Sequence, residues 1–412
     1  MKKTFYLLSI VLLMTPILLN AQSDNTKSSV KFSGYIQGDY EMGQKEAKLY
    51  VGNPNSNEQS YFGRFGIRRG RLKLDYGLKS NPDWSIVGQI TMTEKSINPF
   101  QLYFNYCHTY SFEDSKLTSL QVGARGGLDS YHFGLEPQEG SKARLAPEYT
   151  PYYDVMFPGV DDFMAGGHVT CFFDKASSYK HALGLQMYLL SGNGRNSMRK
   201  SIPDLSLDLR HTFHAGIFDA FYGASYYLGY VPQTNLGDKD RVKRNYLSLY
   251  ARVGMPSCLG RTRLTGEYMS GNQPGKLHLA TVTGPSISNK EYNDGKEIFS
   301  RGFWGMSLQL DHRFSFAPIG ILYKYYYYDK RDILSGDELL WNKYLQYGYA
   351  SKEADGTEQA HGIGINVFLV NDRLRMTAYY EAITSKRAPN KSFSFYDDPD
   401  NDRFTFRVQY NF

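Results

Sequence analysis

Cysteine is scarce in this chain of 412 residues. Its three cysteines, Cys107, Cys171 and Cys258, are odd in number and widely spaced, so they indicate neither a disulfide framework nor a metal cluster. A nucleophile elbow and a zinc-protease motif are also missing from the sequence. We therefore expect that the protein is not an enzyme and carries no cofactor and no metal.

Long apolar runs are missing beyond the N-terminus. The mean hydropathy is -0.48, and no stretch after residue 21 approaches the length of a membrane-spanning helix. Residues 1–21 begin with Lys2 and Lys3, continue with an apolar stretch and end on Ala21, which is the pattern of a signal peptide. The stretch has roughly 15 residues and is interrupted by Pro16, so it is too short for an anchor. We expect cleavage after Ala21 and a mature chain of residues 22–412.

Neither sign of charge is concentrated in one region. The chain has 47 Lys and Arg against 41 Asp and Glu, a formal net charge of +6. Loss of the signal peptide would remove Lys2 and Lys3 and no acidic residue. Because the basic residues are spread along the whole chain and form no single patch, we expect no nucleic-acid partner.

Aromatic residues and period-two alternation are abundant instead. Aromatics make up 15% of the chain and include 35 Tyr. Apolar and polar residues alternate most cleanly over 71–78, 205–210, 246–253 and 373–381. In a membrane-spanning β-barrel only every second residue of a strand meets lipid, and aromatic girdles lie at both interfaces. A barrel thus combines low hydropathy with many aromatics.

Sixteen segments carry this pattern, and the lengths of their connections alternate. Short connections follow the even-numbered segments and longer ones follow most odd-numbered segments, with 94–99 as the short exception. Outer-membrane barrels alternate periplasmic turns with outside loops in this way. The sequence predicts an all-β fold, a transmembrane antiparallel up-and-down β-barrel of about 16 strands with both termini in the periplasm. The predicted strands lie near 30–42, 62–78, 84–93, 100–109, 119–126, 163–172, 181–190, 204–212, 218–229, 246–253, 261–270, 301–311, 319–328, 361–369, 373–382 and 403–412.

The polar half of each strand should face a water-filled lumen, because a Lys or Arg that faces lipid at the midplane costs ~2–4 kcal/mol. Basic residues outnumber acidic ones at these positions, which favours mild anion preference. Alternatively, the same arginines form a rigid ladder with inward acids and tyrosines and select nothing. The predicted pore-lining basic residues are Arg69, Arg71, Lys73, Arg125, Arg210, Arg252, Arg261, Arg263, Arg301, Lys324, Arg373, Arg375, Arg403 and Arg407, and the predicted inward acids are Asp75, Asp208, Glu267, Asp311 and Glu381.

The connection 127–162 is among the longest and combines tyrosines, prolines and both signs of charge. We expect it to fold into the lumen as a constriction. Its acids would then face wall residues such as Arg71, Arg125 and Arg375 across a narrow gap and create a transverse field. The alternative is an ordinary outside loop. The predicted constriction residues are Asp129, Glu136, Glu139, Arg144 and Glu148, with Asp154 as a further acid.

The last strand ends on an aromatic residue. Every second residue from Phe404 to Phe412 is apolar and is expected to face lipid. Such an end resembles the signal that the outer-membrane barrel assembly machinery binds, so we expect that machinery as a partner and the outer membrane as the location. Closure of the barrel requires this strand to pair with the first one, near 32–40.

Two segments resemble a known family. The first is Phe65–Leu72, FGIRRGRL, and the second is 122–127, VGARGG, followed by 133–136, FGLE. They resemble the arginine-rich strand, the fifth strand and the start of the inward-folding third loop of the phosphate-selective porin O and P family, over residues 30–170. The resemblance implies a barrel of sixteen strands, usually a homotrimer, that conducts small anions. It also implies wall or constriction roles for Arg69, Arg71 and Arg125.

The second segment lacks the lysine and the Pro-Phe that the family usually carries there, so phosphate stays one possible solute among others. We favour a porin for passive diffusion of small hydrophilic, preferably anionic solutes. A structural or adhesive barrel would have a closed lumen and no conductance. A barrel enzyme would need a catalytic group, and no Ser, His and acid can be assembled from the strand positions.

Overall fold

The computed structural model describes residues 28–44, 47–52, 63–78, 81–113, 115–157, 161–176, 179–192, 202–232, 241–276, 298–332, 356–387 and 401–412. The predicted signal peptide, residues 1–21, lies outside these ranges. Strands dominate the described backbone, and two short helices lie between the fifth and sixth strands.

The strands form one closed antiparallel barrel. Each strand pairs with its neighbours in sequence, and the first closes on the sixteenth, so the predicted fold class is confirmed. Closure leaves no unpaired edge, which is what a sheet surrounded by lipid requires. The strands are β1 (Ser28–Gly43), β2 (Arg64–Leu78), β3 (Asn81–Met92), β4 (Ile97–Ser111), β5 (Leu117–Ser130), β6 (Asp161–Ala176), β7 (Tyr179–Leu190), β8 (Asp204–Ala215), β9 (Phe218–Pro232), β10 (Arg241–Ser257), β11 (Gly260–Lys276), β12 (Ile298–Phe314), β13 (Ile319–Asp332), β14 (Gly356–Leu369), β15 (Leu374–Arg387) and β16 (Arg403–Asn411).

Each predicted segment overlaps one observed strand, and most strands extend further than the alternation indicated. The extension matters most at β5, which continues to Ser130. Gly126 and Gly127 have no side chains that could show alternation, so the pattern ended too early there. Asp129, predicted as a constriction-loop residue, therefore lies in the wall.

The last strand pairs with the first, as its alternation predicted. The register runs from Tyr35 opposite Asn411 to Gly43 opposite Arg403. Gly34 and Phe412 exchange backbone hydrogen bonds of 3.0 and 3.1 Å. A Cβ at Gly34 would lie 2.6 Å from the Phe412 ring, so this close approach requires a glycine.

Alternation along the strands separates two surfaces. On β7, Leu185 and Met187 are 50% and 53% exposed on the outside, whereas Tyr188 and Leu190 are each 1% exposed on the inside. The same holds on β10, where Leu249 is 48% exposed. The outer face is thus an apolar band suited to lipid, and the polar and aromatic residues lie inside.

The connections at the end where both termini lie are short. By the strand bounds they comprise 79–80, 112–116, 177–178, 216–217, 258–259, 315–318 and 370–373, and the connections at the other end are longer except for 93–96. This is the predicted alternation.

The turn 370–373 contains Arg373, which the sequence predicted as a pore-lining residue. Val370, Asn371 and Asp372 all have positive φ, between 53° and 65°, and the Arg373 N–H closes the turn on the Val370 carbonyl at 3.1 Å. The Asp372 carboxylate accepts two hydrogen bonds from Arg313, of 2.7 and 2.8 Å. Arg373 is therefore an exposed turn residue at the rim and does not line the wall, because β15 begins only at Leu374.

Two helices follow β5. They are α1 (Glu136–Ala143) and α2 (Pro151–Met156). Each has a proline in its first turn, where the missing N–H is not needed, and Gly140 with φ 67° bends α1 into two turns. No helix in the described ranges is long and apolar enough to cross a membrane.

Candidate functional site

The segment 131–157, here called the inward segment, crosses the interior of the barrel. The Gly134 N–H donates to the Ser225 hydroxyl on β9 at 2.8 Å. The Ser141 carbonyl accepts from Gln37 on β1 at 3.2 Å. β1 and β9 lie on opposite sides of a ring of sixteen strands, so a segment that contacts both spans the lumen.

One side of the inward segment is packed by aromatic rings. Phe133, Tyr152, Tyr153 and Phe157 are at most 1% exposed, and they belong to a single apolar cluster with wall residues. Burial of each such side chain contributes about 1.5–3 kcal/mol. The cluster fixes the segment to the strands β6 to β13. The wall residues of this cluster are Met164, Tyr188, Leu190, Tyr227, Tyr246, Met269, Phe303 and Tyr328.

Glu148 fixes the end of the segment that approaches β2 and β16. Its carboxylate accepts bidentate hydrogen bonds of 2.9 and 2.8 Å from Arg68 and one of 2.8 Å from Arg69. Arg407 donates to it at 2.8 Å and also holds Asp39. Burial raises the pKa of Glu148, but the charges of the three arginines outweigh burial and hold that pKa well below its ordinary value. Glu148 is thus charged, and its ion pairs with Arg68, Arg69 and Arg407 are here called the latch.

A β-bulge brings Arg68 to this latch. Gln37 lies opposite Arg69, and Gly38 lies opposite Ile67, so Arg68 is the extra residue of β2. Phe65 and Ile67 before the bulge face outward, at 79% and 49% exposure, whereas both arginines point inward. Strict alternation would turn one of two adjacent arginines toward lipid, which would destabilise the barrel by ~2–4 kcal/mol. The bulge avoids that cost, and Arg68 was not among the predicted pore-lining residues.

Two further acids connect the inward segment to the wall. Glu136 accepts from Lys324 of β13 at 2.5 Å and from the Thr150 hydroxyl at 2.7 Å. Burial raises the pKa of Glu136, and the charges of Lys324 and Arg144 lower it more strongly, so that it lies below its ordinary value. Glu139 forms an ion pair with Arg252.

Glu136, Glu139 and Glu148 therefore do not face their wall cations across the gap that we expected. Direct ion pairs replace it, because opposite charges gain far more by contact in a poorly hydrated interior than across several ångströms. Asp154 lies in α2, and its side chain is not among those that the structure describes. The side chain of Arg301 is also outside it.

Most predicted wall cations are paired as well. The observed ion pairs are Arg125 with Asp129 at 2.9 Å, Arg263 with Asp311 at 2.9 Å, Lys73 with Asp75 at 3.0 Å, Arg403 with Glu381 at 2.6 Å, Arg407 with Asp39 at 2.6 Å and Arg261 with Asp219. This corresponds to the structural ladder that was the alternative to anion selection.

Several interior acids and two interior arginines, Arg68 and Arg244, were not predicted from the sequence. Asp39 and Glu41 share the inward parity of β1 and could have been found from it. Asp204 and Arg244 form a buried pair at 2.5 Å, and both also have inward parity, next to Ser206 and Tyr246. Their omission made the lumen look more basic than it is.

Four arginines near the inward segment form no ion pair with any described residue. Arg71 stacks on Phe100, with its Cζ 3.5 Å from the ring centroid. Arg144 stacks on Tyr149 at 3.3 Å, and its buried guanidinium has no hydrogen-bond partner among the described residues. Arg210 donates to Tyr250 and Gln138, and Arg375 donates to the Arg144 carbonyl at 2.8 Å. The surplus positive charge is concentrated here.

A cavity of about 640 Å³ lies beside α1, and Tyr131 and Tyr188 of the aromatic cluster form part of its lining. Arg71, Lys142 and Gln121 are among the residues that line it. No group of His, Cys, Asp or Glu suited to a metal ion occurs in the described ranges.

Comparison with solved structures places the fold. The outer-membrane channel DcaP of Acinetobacter baumannii is 13% identical, with a TM-score of 0.53 over 94% of this chain and 99% of that chain. An anion-selective porin from Comamonas acidovorans is 9% identical, with a TM-score of 0.51 over 93% and 100%. OprB of Pseudomonas putida is 10% identical, with a TM-score of 0.51 over 93% and 94%.

No family model and no curated protein matches the sequence. Membership of the phosphate-selective porin O and P family stays a prediction. At identities this low the structural likeness concerns the backbone alone. The chain has the closed sixteen-stranded barrel fold that is found in outer-membrane porins.

Proposed function

We propose that the protein is an outer-membrane porin through which small hydrophilic solutes diffuse passively, with anions preferred. The observation that carries the proposal is the inward segment, which crosses a closed barrel and leaves a polar cavity of about 640 Å³ on one side. A barrel of this strand number has room for an aqueous channel. The segment narrows that channel.

The preferred sign of charge follows from the unpaired arginines. Ion-paired wall residues cancel each other at distances beyond a few ångströms, so they contribute little to selection. Arg71, Arg144, Arg210 and Arg375 form no ion pair with any described residue, and a confined space with low-dielectric walls strengthens their attraction for anions. The Comamonas acidovorans structure of the same fold carries the description anion-selective.

The outer membrane is the location that fits the surface. Apolar side chains cover the outer face of the strands, and aromatic residues such as Trp84, Tyr110 and Tyr222 are exposed there, as expected for a barrel in a bilayer. Export by residues 1–21, assembly by the barrel machinery and a homotrimer complete the proposal. Cross-linking of the protein in native membranes tests the trimer.

The experiment that tests the function is conductance of the refolded mature chain in planar bilayers. In a KCl gradient the reversal potential should indicate anion preference. Arg71→Gln combined with Arg210→Gln should bring it close to zero, whereas Arg313→Gln at the exposed rim should not. Cation preference would contradict the assignment of the arginines. The complete absence of conductance would favour the structural barrel, since aromatic packing already fills one side of the lumen.

A further inference from the structure

The cavity beside α1 has the chemistry of a solute site. It lies between the inward segment and the wall formed by β1 to β7, and its volume of about 640 Å³ falls within the roughly 300–1,000 Å³ that is usual for ligand sites. All the residues that line it belong to the described part of the chain. What they share decides which solute fits.

Side-chain amides dominate one wall of the cavity. Gln89, Gln121 and Gln186 come from β3, β5 and β7, and Gln101 and Gln138 lie close to them. Gln89, Gln121 and Gln186 are half-buried and form no side-chain hydrogen bond with any described residue. Each amide offers two donors and one acceptor oxygen. Hydroxyl groups also donate and accept, so a polyhydroxylated solute satisfies such a wall better than a simple ion does.

Two cations in the same cavity have no acidic partner among the described residues. Arg71 is held by the rings of Phe100 and Tyr35, at 3.5 and 5.9 Å from its Cζ, and its Nε is buried without a hydrogen-bond partner in that set. Lys142 is exposed at the end of α1. The other strong charges of the lining are neutralised, for example Arg125 by Asp129 and Glu139 by Arg252. The cavity therefore has a surplus of positive charge.

We propose that this cavity binds sugars that carry one acidic group, either a carboxylate or a phosphate. The acidic group binds Arg71 and Lys142, and the ring hydroxyls bind the free amides. The stacked position of Arg71 leaves the edge of its guanidinium for two parallel hydrogen bonds to an oxyanion. The inference rests on the proposed pore, because the solute reaches the cavity through the lumen.

The test compares five probes on the same channel: glucuronate, glucose 6-phosphate, glucose, acetate and inorganic phosphate. Each is titrated at constant KCl, and the concentration that halves the ion current is measured. Calorimetry on the detergent-solubilised protein gives the dissociation constant independently. Glucuronate and glucose 6-phosphate should each bind about tenfold or more tightly than glucose, acetate and phosphate, since each of those lacks one half of the contacts. The ratio between the two acidic sugars shows which acidic group is preferred.

Variants separate the two halves of the site. Arg71→Gln should weaken both acidic sugars about tenfold or more and leave glucose unchanged. Gln121→Leu with Gln186→Leu should weaken the acidic sugars and leave inorganic phosphate unchanged. Arg313→Gln, which removes a cation outside the cavity, is the matched control and should change neither.

The experiments distinguish a channel without a sugar site from a sugar site without a channel. Anion-selective conductance with equal binding of acetate, phosphate and acidic sugars would overturn the sugar site and keep the porin. The sugar site is overturned in the same way if Arg71→Gln has no effect on the binding of acidic sugars. Calorimetric binding of acidic sugars without any conductance would keep the site and overturn the porin.

Discussion

The two sides of the inward segment differ in how they meet the wall. Toward β9–β13 aromatic rings fill the contact, and Phe133, Tyr152 and Phe157 have almost no exposed surface. Ion pairs of Glu136 and Glu139 with β13 and β10 add to this packing. Toward β1 and β2 the contact is made by hydrogen bonds and the ion pairs of Glu148, and a polar cavity remains between the segment and β1–β7. Aromatic packing gains stability by excluding water, whereas charged contacts tolerate water next to them. One side therefore anchors the segment, and the other side leaves a passage.

The difference also explains why so many wall arginines do not select solutes. Glu136, Glu139 and Glu148 of the inward segment each neutralise wall cations, so these charges hold the segment in place. Selectivity is left to the few arginines without an acidic partner. Variants on each side of the segment should separate anchoring from selection.

Phe157→Ala should have the largest effect. Its ring lies 4.3 Å from Tyr131, 5.5 Å from Tyr227 and 5.6 Å from Tyr246, measured between centroids. Removal of a buried Phe costs about 3–5 kcal/mol, so the segment should detach more often. Trypsin should then cleave faster after Lys142 and Arg144. Phe316→Ala, on a ring that is 73% exposed, is the control, and equal cleavage in both variants would refute the anchor.

Glu148→Gln should come next. It leaves the buried Arg69 and the half-buried Arg68 without a counter-charge, and breaking one partner of a buried pair costs about 3 kcal/mol or more. Tryptic cleavage should rise, and the reversal potential should shift further toward anions. Asp372→Asn breaks an exposed pair with Arg313 and should cost less than about 1 kcal/mol. An unchanged reversal potential in Glu148→Gln would show that the latch lies outside the ion path.

Acid should act on the same latch. Because the pKa of Glu148 is lowered in the folded protein, its stabilisation is complete above the ordinary glutamate pKa of about 4.3. It is lost as the pH falls through the lower folded value. Channel current should therefore become larger and noisier only below about pH 4. Glu148→Gln should be noisy at neutral pH already, and a wild-type transition near pH 6 would point to another group.

Arg68→Gln should have the smallest effect. Glu148 keeps Arg69 and Arg407, so only the bidentate ion pair with the half-buried Arg68 is lost, worth about 1.5 kcal/mol. Tryptic cleavage should rise less than in Glu148→Gln. If the two variants behave alike, the extra arginine that the bulge supplies is essential to the latch.

The sequence predicts the barrel because alternation is local. Each strand shows its outward face in residues such as Leu185 and Leu249, and the apolar C-terminal strand indicates closure. The bulge at Arg68 was not predicted, because strict alternation assumes that every residue of a strand lies opposite a residue of the neighbouring strand. The partners of Glu148 were not predicted, because they lie about 80 to 259 positions away in the chain. Inward acids such as Asp39 had the right parity and were not counted.

Accessibility of single cysteines tests the account most directly. In a chain whose native Cys107, Cys171 and Cys258 are replaced by Ser, Gln121→Cys places a thiol in the cavity and Ser248→Cys places one on the packed side. An anionic methanethiosulfonate should block current through Gln121→Cys faster than a cationic reagent of the same size, and neither should modify Ser248→Cys. Equal modification of both thiols, or faster reaction with the cationic reagent, would contradict an arginine-lined passage for anions on one side of the segment.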